Sequence, residues 1–381
     1  MARHKRIIRE RYIVCLLLGG LMMPGASLAQ FDGRLVWQLQ RALNRGCGAY
    51  VVEDNDWGPQ TRKAYQACRE KALFPPADSL GQVSDVREFL EGIWMRKLGW
   101  ALLHQYGYAQ GEQEPSAGQR LDAALQEASV GDSIQPALRL GQGGIGRLYQ
   151  HYMDNPPAGS LADSIKMKGL SFRQVEVFVQ VFKREEEVNV FARRAGSEDS
   201  FERLKTFHVT CSPFTYEEAS LDKAGPKTIQ NDGKVPEGCY LLTWQNRWSL
   251  YHISYNVSYP NPGDINRTAA WDEGSNSGKE IFLHGNRVSV GCIPVGDAGI
   301  EEIALLLNGS YRESTSHGRI HIFPCRFGVE ENEKALQRYA KERPELGAFW
   351  DSLRPIYAYF KKHKKPPDFH FDENGYYQLQ K

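Results

Sequence analysis

The sequence predicts an α+β protein: an α-helical amino-terminal module and a helical linker, followed by a mostly β domain of sandwich or barrel type with helical additions. Three observations predict it. Apolar residues recur at helical spacing, as at Leu35, Val36, Leu39 and Leu43 and again at Leu90, Ile93, Trp94, Leu98 and Leu102. From Val175 the pattern changes to short runs of branched and aromatic residues broken by Gly, Pro and Asn turns. Helical spacing returns only at 298–307 and 330–360. The organisation read from these patterns is a leader at 1–29, a helical module at 31–72, a helical linker at 83–169, the β domain at 172–327 and a helical extension at 328–381.

The leader comes first. Arg3, Lys5, Arg6, Arg9 and Arg11 precede an apolar run from Tyr12 to Met23, then Pro24, Gly25 and Ser27-Leu28-Ala29. Basic, short apolar, then small is the order of a cleavable secretory signal. About twelve apolar residues fall short of the roughly twenty that span a bilayer. The expected location is the periplasm or cell envelope, with no stable membrane insertion once the signal is removed. The chain has 47 basic and 46 acidic residues, a net charge of +1, which argues against a nucleic-acid partner. Its 41% hydrophobic content is that of a folded globular chain.

Six cysteines follow the leader: Cys47, Cys68, Cys211, Cys239, Cys292 and Cys325. An even count in an oxidising compartment invites disulfides. Cys47 and Cys68 share one short segment and could staple it, and Cys211, Cys239 and Cys325 could hold one further bridge. Cys292 is expected to be a free thiol.

In the helical module, Val51-Val52 leads into the polar turn Glu53-Asp54-Asn55-Asp56 and then Trp57-Gly58-Pro59-Gln60-Thr61. Proline after glycine suits a helix start, where a missing N–H costs nothing. The stretch resembles the small peptidoglycan-binding domain, with Asp54, Trp57, Gly58 and Thr61 on its pattern and Asn55 in place of its glycine. The resemblance implies docking on cell-wall glycan or peptide. The linker carries no chemical motif and reads as scaffold.

The β domain opens with Val175 to Phe182, and Val188-Asn189-Val190-Phe191-Ala192 follows as a hairpin partner. Further strand-like runs at 207–209, 240–244, 250–257 and 280–283 lead into Ile281-Phe282-Leu283-His284-Gly285-Asn286-Arg287-Val288-Ser289-Val290-Gly291-Cys292-Ile293-Pro294. A strand delivers a histidine, a loop turns, and a glycine presents a cysteine eight positions after that histidine. A thiolate is a strong nucleophile, and an imidazole in reach can take its proton and return it to a leaving amine. Gly291 lets backbone N–H groups approach a carbonyl closely, so the amides of Gly291 and Cys292 are candidate oxyanion donors.

This segment resembles the catalytic signature of the L,D-transpeptidase (YkuD-like) domain, a strand His-Gly followed by S/T-x-G-C. Val235-Pro236-Glu237-Gly238-Cys239-Tyr240 resembles that family's upstream turn. Val290 stands where most members carry a second histidine, a form similar to the YafK-like branch. Gly225-Pro226-Lys227, Tyr259-Pro260-Asn261 and the tail Phe349-Trp350-Asp351-Ser352-Leu353-Arg354-Pro355 agree with that branch. The resemblance covers roughly 172–381. It implies that Cys292 is the nucleophile, His284 the base, Gly285 the backbone orienter, Ser289 the small hydroxyl and Gly291 the neighbour of the oxyanion hole.

Arg267, Lys279 and Arg287 flank the loop and are candidates to meet the carboxylates of an acidic stem peptide. Tyr255, Asn256 and Tyr259 are expected to line the cleft on the same resemblance. His317 and His321 lie in a strand-like run without an acidic partner between them, so no metal is expected. His208 and His252 read as structural. Without a Gly-rich phosphate loop, no cofactor is expected. The expected activity is L,D-transpeptidation of peptidoglycan stem peptides through a Cys292 thioester. The alternatives are an L,D-acting hydrolase that trims stems or detaches a wall-linked protein, and a non-catalytic peptidoglycan-binding protein.

Overall fold

The computed structural model describes residues 33–47, 49–71, 83–108, 144–210, 225–310 and 316–380. The expected leader, the linker's polar stretch at 110–116 and Cys211 lie outside them. Two compact units result: Met1–Asp163 with Arg247–His252, and Ser164–Asn246 with Ile253–Lys381. No helix among the described residues is long and apolar enough to cross a membrane.

In the first unit, α1 (Gly33–Gly46) and α2 (Pro59–Lys71) bracket the polar turn. Leu35, Val36, Leu39 and Leu43 are buried, as their spacing predicts. The turn wraps around Gln40, a fully buried polar residue. The Gln40 amide donates to Asp54 Oδ1 (2.8 Å), Asp56 O (3.1 Å) and Thr61 Oγ1 (3.1 Å), and its carbonyl accepts from Asn55 N (3.0 Å). Asn55 has φ +67°, a left-handed conformation that glycine adopts freely and asparagine tolerates, which explains the departure from the Gly pattern. Cys47 and Cys68 form a disulfide with Cα atoms 5.7 Å apart. Closing that 21-residue separation constrains the unfolded chain by about 3 kcal/mol. The long helix α3 (Val83–Gln105) buries Phe89, Trp94, Leu98, Trp100 and Leu102 around much of its circumference, with Phe89 edge-on to Tyr65 at 4.9 Å. Helix α4 (Gly144–Asp154) adds Leu148, Tyr149 and Tyr152.

Helix α5 (Leu161–Met167) leads into the second unit. There β1 (Val175–Phe182), β2 (Glu187–Arg194), β3 (Glu202–His208), β4 (Gly238–Ser249), β5 (His252–Val257), β6 (Ile281–His284), β7 (Ile293–Pro294) and β8 (Gly318–Phe323) form one curled sheet. Its order is β3-β2-β1-β8-β4-β5-β6-β7. The predicted hairpin pairs Val175 with Arg194 through Phe182 with Glu187. Strand β8 then inserts parallel to β1, Val179 opposite Ile320 and Val181 opposite Ile322, so those buried side chains share one face. Helix α7 (Gly296–Gly309) is buried along Ile300, Ile303, Leu305, Leu306 and Leu307. On the other face Phe178 meets Phe360 at 4.6 Å. Phe182 and Phe323 belong to the same core as Phe349, Trp350, Leu353 and Ile356.

Two expectations about the extension are corrected. The run at 330–360 is two helices, α8 (Glu330–Glu342) and α9 (Pro344–His363), because Arg343 precedes a proline and leaves helical geometry. Residues beyond α9 pair as β9 (Phe369–Phe371) and β10 (Tyr377–Leu379) instead of remaining helical. Helix α6 (Pro262–Trp271), absent from the sequence reading, starts on a capping box between Asn261 and Asp264. Cys239 and Cys325 are buried free thiols.

Candidate functional site

Strand β6 ends on His284 and β7 begins directly after Cys292. The two strands run parallel, Leu283 opposite Ile293 and His284 opposite Pro294. Side chains alternate along a strand, and register partners share a face. Cys292 directly precedes the paired residues Ile293 and Pro294, one position before the partner of Leu283. Cys292 is a partly exposed free thiol whose Sγ lies 3.8 Å from the Glu280 carbonyl.

His284 is fully buried, and its Nδ1 lies 2.5 Å from the Gly285 carbonyl oxygen. A carbonyl only accepts, so Nδ1 carries the proton and Nε2 presents a lone pair. Gly285 is held in place by its own N–H donating to Ile253 O at 3.1 Å. Burial lowers the His284 pKa to about 4, against the opposing effect of the Gly285 bond. Burial also raises the Cys292 thiol above its usual value, while the Phe282 backbone and the Lys227 ammonium pull it down and Glu280 pushes it up. The pair therefore rests as neutral thiol and neutral imidazole. Cys292 alkylation by iodoacetamide is expected to be slow at pH 7 and to keep rising beyond pH 9. An inflection below pH 8, followed by mass spectrometry, would contradict the neutral resting pair. The same histidine carries a linkage sign. Its folded pKa is depressed, so the unfolded chain binds the proton first, and folding stability falls as pH drops from about 6.5 towards 4.

The loop between the two residues is braced from several sides. Asn286 N donates to Asp297 Oδ1 (2.6 Å), and Asn286 O accepts from Thr210 Oγ1 (2.8 Å). Ser289 Oγ donates to Cys292 O (2.7 Å) and accepts from Gly291 N (3.2 Å). One of the two expected oxyanion donors is thus occupied, and Ser289 acts as a clamp across the loop. Gly291 has φ +106°, and a Cβ there would lie 2.7 Å from Lys234 O. Only glycine fits this close main-chain approach.

That approach brings in the loop before β4, which is organised around Asp232. Its carboxylate accepts from Lys227 Nζ (2.8 Å), Thr228 N (3.1 Å), Ile229 N (3.2 Å) and Lys234 N (2.9 Å). Lys183 Nζ secures the same loop through Gly225 O (2.9 Å), Val235 O (3.2 Å) and Glu237 Oε1 (2.6 Å). Glu237 Oε2 in turn accepts from Trp350 Nε1 at 2.8 Å. Asp232 and Lys234 escaped the sequence reading, and Lys227 entered it only within the resemblance. The available signal was an Asp-Gly turn flanked by two lysines.

The six residues expected to bind substrate separate into three kinds. Arg267 is buried, hydrogen-bonded to Gly375 O and ion-paired with Asp264, with its guanidinium 4.2 Å from the Phe349 ring centre. It is a core strut, because the C-terminal hairpin folds over it. Tyr255 is likewise buried, its hydroxyl accepting from Gln245 Nε2 at 2.9 Å. Tyr259 is buried with its hydroxyl between Lys227 O (3.1 Å) and Ser277 O (2.9 Å), a support beneath the Asp232 loop. Asn256 is half-buried and accepts from Thr243 Oγ1 at 2.9 Å. Lys279 and Arg287 are exposed, as their flanking positions suggested. His317 and His321 are buried, His321 edge-on to Phe178 at 4.8 Å.

No family model matches the chain. It is 28% identical over 194 residues to YafK of Escherichia coli K12, provisionally named an L,D-transpeptidase, covering 50% of this chain and 69% of YafK. YafK of Escherichia coli O157:H7 matches at the same identity and coverage. This similarity bears out the YafK-like resemblance read from the motif. Among solved structures, the helical cell shape determining protein Pgp2 from Campylobacter jejuni is 15% identical, with a TM-score of 0.30 over 52% of this chain and 74% of that one. Bd1075 of Bdellovibrio bacteriovorus is 20% identical, with a TM-score of 0.26 over 51% and 61%.

Proposed function

We propose that the protein is a cysteine-dependent L,D-transpeptidase that acts on peptidoglycan stem peptides. The observations that support the reading are the β6–β7 pairing, which puts the residue after Cys292 opposite the residue before His284, and the Nδ1 contact of buried His284 with Gly285 O, which makes Nε2 the candidate base. Similarity to YafK supports a peptidoglycan-related role. In the proposed reaction His284 Nε2 takes the Cys292 proton as Sγ attacks a stem-peptide carbonyl. The oxyanion is met by the Cys292 amide, and by that of Gly291 once Ser289 Oγ releases it. Collapse of the adduct breaks the peptide C–N bond, with the His284 proton going to the departing amine, and a thioester remains on Cys292. An acceptor amine then attacks the thioester, giving its proton to His284 and regenerating the thiol.

Three further assignments belong to the same reading. The leader at 1–29 exports the chain to the periplasm. The disulfide-stapled module at 31–72 docks on wall glycan or peptide. Within the catalytic unit, Gly285 orients the base, and Lys279 and Arg287 face the acidic substrate. Water in place of the amine would make the enzyme a hydrolase that trims stems or frees a wall-linked protein.

The test is mass spectrometry of purified muropeptides incubated with the protein. New cross-linked species are the expected result. Shortened peptides without cross-links would replace the transpeptidase by the hydrolase. No product of either kind would leave a peptidoglycan-binding protein.

A further inference from the structure

Around the Asp232 loop, each basic residue but one has its own carboxylate. Lys183 pairs with Glu237 at 2.6 Å, Lys227 with Asp232 at 2.8 Å and Arg343 with Glu345 at 2.7 Å. Lys234 is the exception. The residue is 8% exposed, yet among the described residues its ammonium has neither ion pair nor hydrogen bond. Asp232 takes its main-chain N–H instead.

Its surroundings add positive charge. Lys183 Nζ bonds the carbonyl of the next residue, Val235. Gly225, at the start of the loop, packs on Leu346, whose N–H donates to Arg343 O at 3.0 Å. Burial first, and then the like charges of Arg343 and Lys183, hold Lys234 below the usual lysine range despite Asp232 and Glu237 nearby. The ammonium is not fully enclosed, so a largely desolvated cation with no ion pair of its own among the described residues can take up an anion from solvent.

The position of the residue suggests which anion. Lys234 O is the atom that abuts Gly291, and main-chain dimensions then keep the Lys234 Cα within about 10 Å of the Cys292 Cα. An extended peptide covers that distance in roughly three residues. We propose that Lys234 is a binding site for a carboxylate of the peptide substrate, a few residues from the bond that Cys292 attacks. The identity of the ligand rests on the function proposed above, whereas the anion site itself does not.

The test uses the full chain carrying Cys292→Ala, so that peptides bind without turnover. A synthetic stem tetrapeptide is titrated by calorimetry against the same peptide with its carboxylates amidated. The acid form is expected to bind about ten- to a hundredfold more tightly. Lys234→Met, which keeps the buried methylenes, should remove that preference, and Lys234→Arg should largely retain it. In the Cys292-containing protein, Lys234→Met should leave iodoacetamide alkylation of Cys292 unchanged and the thermal midpoint no lower. Equal binding of the two peptides, or a preference that survives Lys234→Met, would overturn the proposal. Succinate provides a separate arm. If it raises the midpoint of wild type but not of Lys234→Met while stem peptides go unbound, the anion site stands and the peptidoglycan reading falls. If acid and amidated peptides are processed equally well, the peptidoglycan reading stands and the site falls.

Discussion

Replacing Cys292 by alanine is expected to lower stem-peptide turnover by about ten-thousandfold or more, because the proposed thioester cannot form without its thiol. Cys292→Ser should be nearly as inactive. A hydroxyl holds its proton far more tightly than a thiol, and an imidazole with a pKa of about 4 is a weak base for removing it. Neither change should unfold the chain. The thiol is partly exposed, and its hydrogen-bond contact is the 3.8 Å approach to Glu280 O, so the effect on stability should stay within about 0.5 kcal/mol. Thermal melts alongside product analysis separate the two effects. Retention of more than a small fraction of product by an intact Cys292→Ala protein would remove Cys292 from the chemistry.

Arg267→Ala is expected to have the largest effect on stability. The guanidinium is buried between Asp264, the Gly375 carbonyl and the Phe349 ring. Asp264 also accepts from Tyr240 OH (3.0 Å) and Asn261 N (2.9 Å). Without the arginine its buried carboxylate loses its counter-charge, at a cost of about 3–5 kcal/mol. For a unit of this size that is a fall in Tm of roughly 10 °C or more. Because the pair is buried, Arg267→Met combined with Asp264→Leu should recover much of the loss. Calorimetric melts of the two variants beside wild type test this. A variant that melts like wild type but shows a raised KM would return Arg267 to the substrate-binding role that its sequence position suggested.

Helix and strand existence was legible because burial imposes periodicity. Leu35, Val36, Leu39 and Leu43 mark α1, and the alternation from Val175 to Phe182 marks β1. Where one continuous pattern hid a break, as at Arg343-Pro344, local backbone chemistry overrode the apolar spacing. The C-terminal hairpin was invisible for a different reason. Tyr377 is defined by its partner, since its hydroxyl accepts from Cys239 N at 2.8 Å, across a large sequence separation.

The candidate site divides along the same line. His284, Gly285, Ser289, Gly291 and Cys292 could be read from the sequence because they lie within one strand-loop-strand segment whose spacing is its geometry. The roles of Arg267, Tyr255 and Tyr259 could not, since a polar or aromatic residue near a motif in sequence can point into the core as readily as into a cleft. Lys234, Asp232 and Gln40 were hidden for the same reason. Gln40 is satisfied by residues 14 to 21 positions away, and Asp232 by a local loop whose closure the residue types alone do not announce. Sequence by itself determined most of the elements and the segment that carries the candidate nucleophile and base, because local periodicity and spacing carry that information. Tertiary structure alone decided which charges are paired and which glycine is squeezed, because burial and counter-ions are properties of packed surfaces.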